Sequence, residues 1–201
     1  MLQWIFFDAG SVTLLDCISL QFYFTLNILG IINNEDIEED NTQLVKISLF
    51  NEMIYMDMPV MFTEMSIERI KERYTVEPRP QIIYSDESGK INFALNMLEL
   101  KISDLQTYAY KIRESIRMVH PNTLFYDEDF ITDQDNKSIQ CFDFRSSSLE
   151  GPTYNVMYLI QVPEKTLLGN FNCPFEVYTK WRPIVKRVIK SITKGEIYES
   201  I

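Results

Sequence analysis

The chain has one histidine, His120, directly before Pro121. Imidazole catalysis needs a nucleophile or an orienting carboxylate beside the ring, and neither neighbours His120 in the sequence. Its expected place is a helix C-terminus, where a partly cationic ring suits the dipole. Carboxylates crowd into Asp127-Glu128-Asp129 and Asp133-Gln134-Asp135-Asn136-Lys137. A calcium loop in that register requires Asp or Asn at 137 and Gly at 138, where Lys137 and Ser138 stand. Ordinary turn chemistry between two strands is the expectation. Asn136-Lys137-Ser138 matches a glycosylation acceptor, which means nothing without secretion. Ser146-Ser147-Ser148 lacks the G-x-S-x-G surroundings of a nucleophile elbow and reads as a loop. The last predicted helix is basic through Lys180, Arg182, Lys186, Arg187, Lys190 and Lys194. Lys186, Lys190 and Lys194 fall at i, i+4 spacing. Such a stripe is the wet face of an amphipathic helix, or a dock for a phosphate or an acidic partner. With six glycines and no Walker, G-x-G-x-x-G or H-E-x-x-H pattern, no catalytic, cofactor-binding or metal-ligating residue is assigned.

The totals narrow the classes further. At 201 residues the chain suffices for one domain with an extension. Its net charge of −10 lacks the basic footprint of a general nucleic-acid binder, and it disfavours anionic lipid. Cys17, Cys141 and Cys173 form no C-x-x-C pair. The odd count argues against a disulfide framework and for buried thiols in a reducing compartment. Residues 2–32 are apolar, but no Lys or Arg precedes Lys46, as a signal peptide would want. Asp8, Asp16, Gln3, Gln21 and Asn27 interrupt the run that a membrane helix would need. A cytoplasmic protein is expected, with neither membrane nor nucleic acid as partner.

The elements follow from periodicity. Residues 20–28 alternate strictly, with Leu20, Phe22, Phe24, Leu26 and Ile28 on one face. With residues 2–7 and 12–15 they predict three short N-terminal strands, and the acidic stretch 33–43 predicts a linker. The expected division is a β extension over 1–42 and an α/β domain over 43–201. Strands are predicted at 46–50, 53–58, 81–85, 91–98, 123–131, 138–145, 154–162 and 166–171. Ser66 opens a short helix, 67–74. Ser103-Asp104-Leu105-Gln106 reads as a capping box for a second helix that places Leu105, Tyr108, Ala109, Ile112, Ile116 and Val119 at helical spacing. A third helix spans about 179–193, with Ile184, Val185, Val188, Ile189 and Ile192 inward and Gly195 as its stop. Consecutive hairpins broken by helices predict an α+β fold with a mostly antiparallel sheet flanked by helices.

A strand running into a polar turn and an amphipathic helix closes the chain: Leu168-Gly169-Asn170-Phe171-Asn172-Cys173-Pro174-Phe175, then Trp181-Arg182-Pro183-Ile184 and Lys190-Ser191-Ile192. Upstream stand Ile54-Tyr55-Met56-Asp57-Met58-Pro59, Phe62-Thr63-Glu64-Met65, Arg79-Pro80-Gln81-Ile82-Ile83-Tyr84-Ser85 and Gly89-Lys90-Ile91-Asn92-Phe93. Together, residues from about 43 to 193 resemble the PsbP-like fold, and among its members the uncharacterised bacterial ones most. That superfamily includes the PsbP subunits of photosystem II and a Ran-GTPase-binding family. The resemblance implies an α/β/α sandwich and a role in binding other proteins. It brings no catalytic set and no cofactor.

Two functional expectations result. The first is a non-enzymatic protein-interaction or accessory domain of bacterial type, binding through a sheet edge or an aromatic face. The N-terminal strands would pair with a partner or with a second copy as a homodimer. The second is a hydrolase or small-ligand binder using Asp127, Glu128, Asp129 or Asp57 on a concave sheet. It needs two converging carboxylates, one with a raised pKa.

Overall fold

The computed structural model describes residues 42–75, 77–126, 139–148 and 151–195. The predicted strands within 1–32, most of the acidic linker, Cys17, the 127–138 carboxylate stretch and Asn136 lie outside the described residues.

A seven-stranded antiparallel sheet dominates, in the order β3-β4-β5-β9-β8-β7-β6. Its strands are β3 (Thr63–Glu64), β4 (Ile82–Ser85), β5 (Asn92–Leu98), β6 (Leu124–Phe125), β7 (Ile139–Ser148), β8 (Gly151–Val162) and β9 (Lys165–Pro174). A second sheet, β1-β2-β10, joins β1 (Leu44–Leu49), β2 (Ile54–Pro59) and β10 (Thr193–Lys194). The helices are α1 (Ile67–Arg73), α2 (Leu105–Val119) and α3 (Tyr178–Lys190). Strand alternation sorts the core into two layers. Phe93, Leu95, Tyr154, Val156, Tyr158 and Phe171 pack with α3 and the small sheet. Ile83, Ala94, Phe142, Phe144, Met157 and Leu168 pack with α1 and α2 on the other face. This is the expected α/β/α sandwich, with the small sheet as an addition to one layer.

Helix α3 seats itself by the predicted apolar stripe: Ile184, Val185, Val188 and Ile189 are fully buried. Trp181 joins Phe62, Phe93 and Phe171 in an aromatic quartet with centroids 4.8 to 5.8 Å apart. Pro183 sits within the helix on its exposed side, where a freed carbonyl can meet water.

Several boundaries differ from the sequence reading. Helix α2 is capped by Asp104, whose carboxylate accepts from the Thr107 amide at 2.9 Å, and not by Ser103. A carboxylate gains from the dipole as well as from the bond. Helix α3 stops at Lys190, and Thr193 and Lys194 pair with Tyr55 and Ile54 of β2. Gly195 is therefore no helix stop. Its amide donates to the Met53 carbonyl, and an added Cβ would lie 1.8 Å from the Glu52 oxygen. Ser146, Ser147 and Ser148 extend β7 against Thr153, Pro152 and Gly151 instead of forming a loop. Pairing continues because Gly151 takes φ +116°, which only glycine adopts freely. The β1–β2 turn places Phe50, Asn51 and Glu52 at φ 52°, 54° and 65°, so Met53 belongs to the turn and not to the strand.

Tyr158, fully buried, lays its ring across Gly169 on the neighbouring strand; a Cβ there would meet ring atoms at 2.0 to 2.5 Å. Gly169→Ala should lower stability by about 1–3 kcal/mol through overpacking, read as a fall in the urea midpoint. In Gly169→Ala/Tyr158→Leu, where the ring is gone, the alanine's added cost should disappear.

Candidate functional site

The site that the fold builds centres on a residue absent from the sequence-based candidates, Asp143 in the middle of β7. Alternation sends Phe142 and Phe144 toward α2 and Cys141 into the α3-facing core. Asp143 shares Cys141's side of the strand and is 0 % exposed. A carboxylate buried there needs hydrogen-bond and charge partners to offset its desolvation. One oxygen, Oδ2, accepts from the Tyr154 hydroxyl at 2.7 Å and from Arg182 Nε at 3.1 Å. The other, Oδ1, meets no hydrogen-bond partner among the described residues. Arg182 reaches this point because it lies one position beyond Trp181 on α3, between the buried stripe and solvent. Its side chain stays 31 % exposed.

Aromatic rings surround the pair. Tyr154 contacts Tyr178 at 5.3 Å and Tyr126 at 6.3 Å between centroids. Tyr178 stacks on Phe175 at 4.6 Å, and the Arg145 guanidinium lies 4.4 Å over the outer partner, Phe175. The Tyr126 amide donates to the Asp143 carbonyl, tying the rim to the buried acid. Tyr126 is 40 % exposed, and Arg145, Phe175 and Tyr178 are half-buried. The result is a surface of rings and guanidinium groups standing on a buried ion pair. Burial, the nearby Asp143 charge and the bond to it push the Tyr154 hydroxyl far above its usual range, so it stays a donor. Burial raises the Tyr126 hydroxyl too.

The residues singled out from sequence disperse. His120 is the C-cap of α2, as expected, but it is only 3 % exposed, and burial lowers its pKa to about 4. The ring is neutral at pH 7, so the expected cationic partner of the dipole is not there; desolvation outweighs the dipole. Asp57 is half-buried on β2, and its amide donates to Ser191 Oγ at 2.8 Å. Asp127, Glu128 and Asp129 lie outside the described residues, as do the N-terminal strands proposed for self-association. The basic stripe divides: Lys194 leaves the helix for β10, Lys186 is half-buried, Lys180 and Lys190 are exposed, and Arg187 donates to the Thr42 carbonyl at 3.3 Å. Cys141 and Cys173 are free and buried; burial raises both thiols, Cys173 to about 12, so neither is a ready nucleophile. Among the described residues no group of three His, Cys, Asp or Glu side chains could hold a metal ion. Nor is any described helix long and apolar enough to cross a membrane. The one sequence signal for Asp143 was a lone carboxylate in Cys141-Phe142-Asp143-Phe144, a run otherwise fit for a core.

No family model matches this chain, and no curated protein matches it either. Solved structures do. The cyanobacterial PsbP (CyanoP) of Synechocystis has a TM-score of 0.55 at 11% identity, over 83% of this chain and 98% of that one. The Ran-binding protein Mog1p of Saccharomyces cerevisiae has a TM-score of 0.52 at 8% identity, over 77% and 96%. LpqN of Mycobacterium tuberculosis, involved in cell envelope biogenesis, has a TM-score of 0.50 at 8% identity, over 77% and 91%. The chain has a PsbP-like fold.

Two outcomes follow from this geometry. Asp143→Ala removes the carboxylate from Arg182 and leaves the buried Tyr154 hydroxyl without its acceptor, and should cost about 1–3 kcal/mol, against about 1 kcal/mol for Tyr154→Phe, both read by urea unfolding. His120, with its pKa lowered from 6.5 to about 4, binds its proton in the unfolded chain first. Its stabilising share is complete above pH 6.5, declines as the pH falls and levels off near 4, a loss of about 3 kcal/mol. His120→Gln should remove that slope, and the single imidazole NMR signal should titrate near pH 4.

Proposed function

We propose that this protein is a non-enzymatic interaction domain that docks a partner protein on the surface formed by Tyr126, Arg145, Phe175, Tyr178 and Arg182. The carrying observation is the stacked, half-exposed rim set on the buried Asp143–Arg182–Tyr154 cluster. Tyrosine, phenylalanine and arginine are the residues enriched where protein interfaces concentrate their energy. A rim already ordered by stacking loses little conformational entropy on binding. The protonation states point the same way, since the described histidine and thiols are held in unreactive forms. One fold neighbour is a Ran-binding protein, which accords with a binding role on such a scaffold. The two free, buried thiols accord with a reducing compartment such as the cytoplasm.

A photo-crosslinking amino acid in place of Tyr178 tests the reading, with Tyr110, 60% exposed on α2, as the control position. In the source cell, the Tyr178 position should yield a discrete protein adduct that Arg145→Glu abolishes, and the Tyr110 position should yield none. Equal labelling at both positions would overturn the assignment.

A further inference from the structure

We propose that the opposite face of the sheet holds a binding site for a small hydroxyl-rich anion, of the sugar-acid or sugar-phosphate class, beneath helix α1. Ala94 carries a single methyl at the centre of this site. Asn92 and Asn96 stand two residues to either side of it on β5, and Asn170 stands directly opposite on β9. Sheet geometry puts all three amides on one face within about 7 Å of that methyl. Each is buried, and each leaves a polar atom without a hydrogen-bond partner among the described residues: Asn92 Oδ1, Asn96 Nδ2 and Asn170 Oδ1.

Backbone groups fix the orientation of two of these amides. Asn92 Nδ2 donates to the Gly89 carbonyl at 3.1 Å, which leaves Oδ1 as the open end. Asn96 Oδ1 accepts from the Gln81 amide at 3.0 Å, which leaves Nδ2 open. A donor and two acceptors ringed around a methyl complement vicinal hydroxyls, which both donate and accept. The anionic end is set by α1. Arg73 donates to the same Gly89 carbonyl as Asn92, and Arg69 also lies beside Gly89, 3.3 Å from where its Cβ would be. Two guanidinium groups therefore border the Asn92 side of the recess.

In this structure the recess is closed, with Ile70 packed in one cluster with Ile83 and Ala94. The cover is short: α1 has seven residues and one buried side chain, Ile70, between Met65 and Tyr74, which are buried in the same cluster. Short elements are the ones that open locally, and the unmet amides favour the opening. The ligand enters as α1 lifts and supplies the partners that the amides lack.

The test is NMR titration of the full chain with glucuronate and with glucose 6-phosphate, following side-chain amides and the α1 backbone. The expected result is that at least one of the two anions shifts the Asn92, Asn96 and Asn170 side-chain signals together with α1. Asn170→Leu and Asn96→Leu should each weaken that binding by about tenfold or more, and Asn170→Leu should leave the melting temperature equal or higher. A satisfied structural amide would instead lower the melting temperature on replacement by leucine. No shifts at millimolar concentrations of either anion, unchanged affinity in both variants, or a lowered melting temperature in Asn170→Leu would overturn the proposal.

Discussion

The seating of α3 on the long strands is the interaction from which the rest of the architecture hangs. Its apolar stripe and the Trp181 quartet bind together pieces that are distant in the chain: the segment after β2, strands β5 and β9, and the helix itself. Ser191, just past the helix, accepts from the Asp57 amide, and β10 then pairs with β2. The small sheet is thus held by the end of the helix as much as by its own ladder. The same seating fixes the height at which Arg182 meets Asp143. A shift of one helical turn, about 5.4 Å, would remove the arginine from the carboxylate.

The two faces of the main sheet treat polar groups differently. Toward α3, one carboxylate is buried and is matched by a hydroxyl and a guanidinium on a single oxygen. Such a pair gives little net stability, because desolvation of both charges offsets their attraction. It does select one arrangement of helix and strand, since any other leaves a bare charge. Toward α1 and α2, neutral amides take the polar positions. Asn92 and Asn172 bond across β5 and β9, and Asn155 bonds Ser146 across β7 and β8. Amides cost less to bury than charges, so several unmet acceptors persist there without unfolding the layer.

The likeness to CyanoP and Mog1p at 8% to 11% identity follows from what an antiparallel sandwich demands. It demands alternating apolar positions, turns that reverse the chain and helices with an apolar stripe, and many sequences meet those demands. The polar residues carry no such constraint. A shared frame leaves such polar residues, Asp143 on one face and the asparagines around Ala94 on the other, free of the demands that shape the sandwich.

Local pattern sufficed for elements whose faces alternate cleanly. The Ile184 to Ile189 stripe of α3 lies inward as its spacing requires, whereas β5 buries both faces, Phe93 and Leu95 on one and Asn92 and Ala94 on the other. The α+β class and the order of hairpins were legible for the same reason. Boundaries were less so, because they depend on partners far along the chain. Thr193 and Lys194 left the helix for β2, and Ser146 to Ser148 stayed in a ladder that Gly151 prolongs. The site was scarcely legible at all. Histidine, acidic runs and lysine stripes draw the eye in a sequence, yet His120 is neutralised by burial and the lysines are divided among elements. Tyr154 and Arg182 lie 11 and 39 residues from Asp143, the acid between them, with no spacing that announces them. Sequence by itself determined the faces, since side-chain period is a local property. Only the tertiary structure decided which polar residues meet, because that depends on how a helix and two strands pack, to within an ångström.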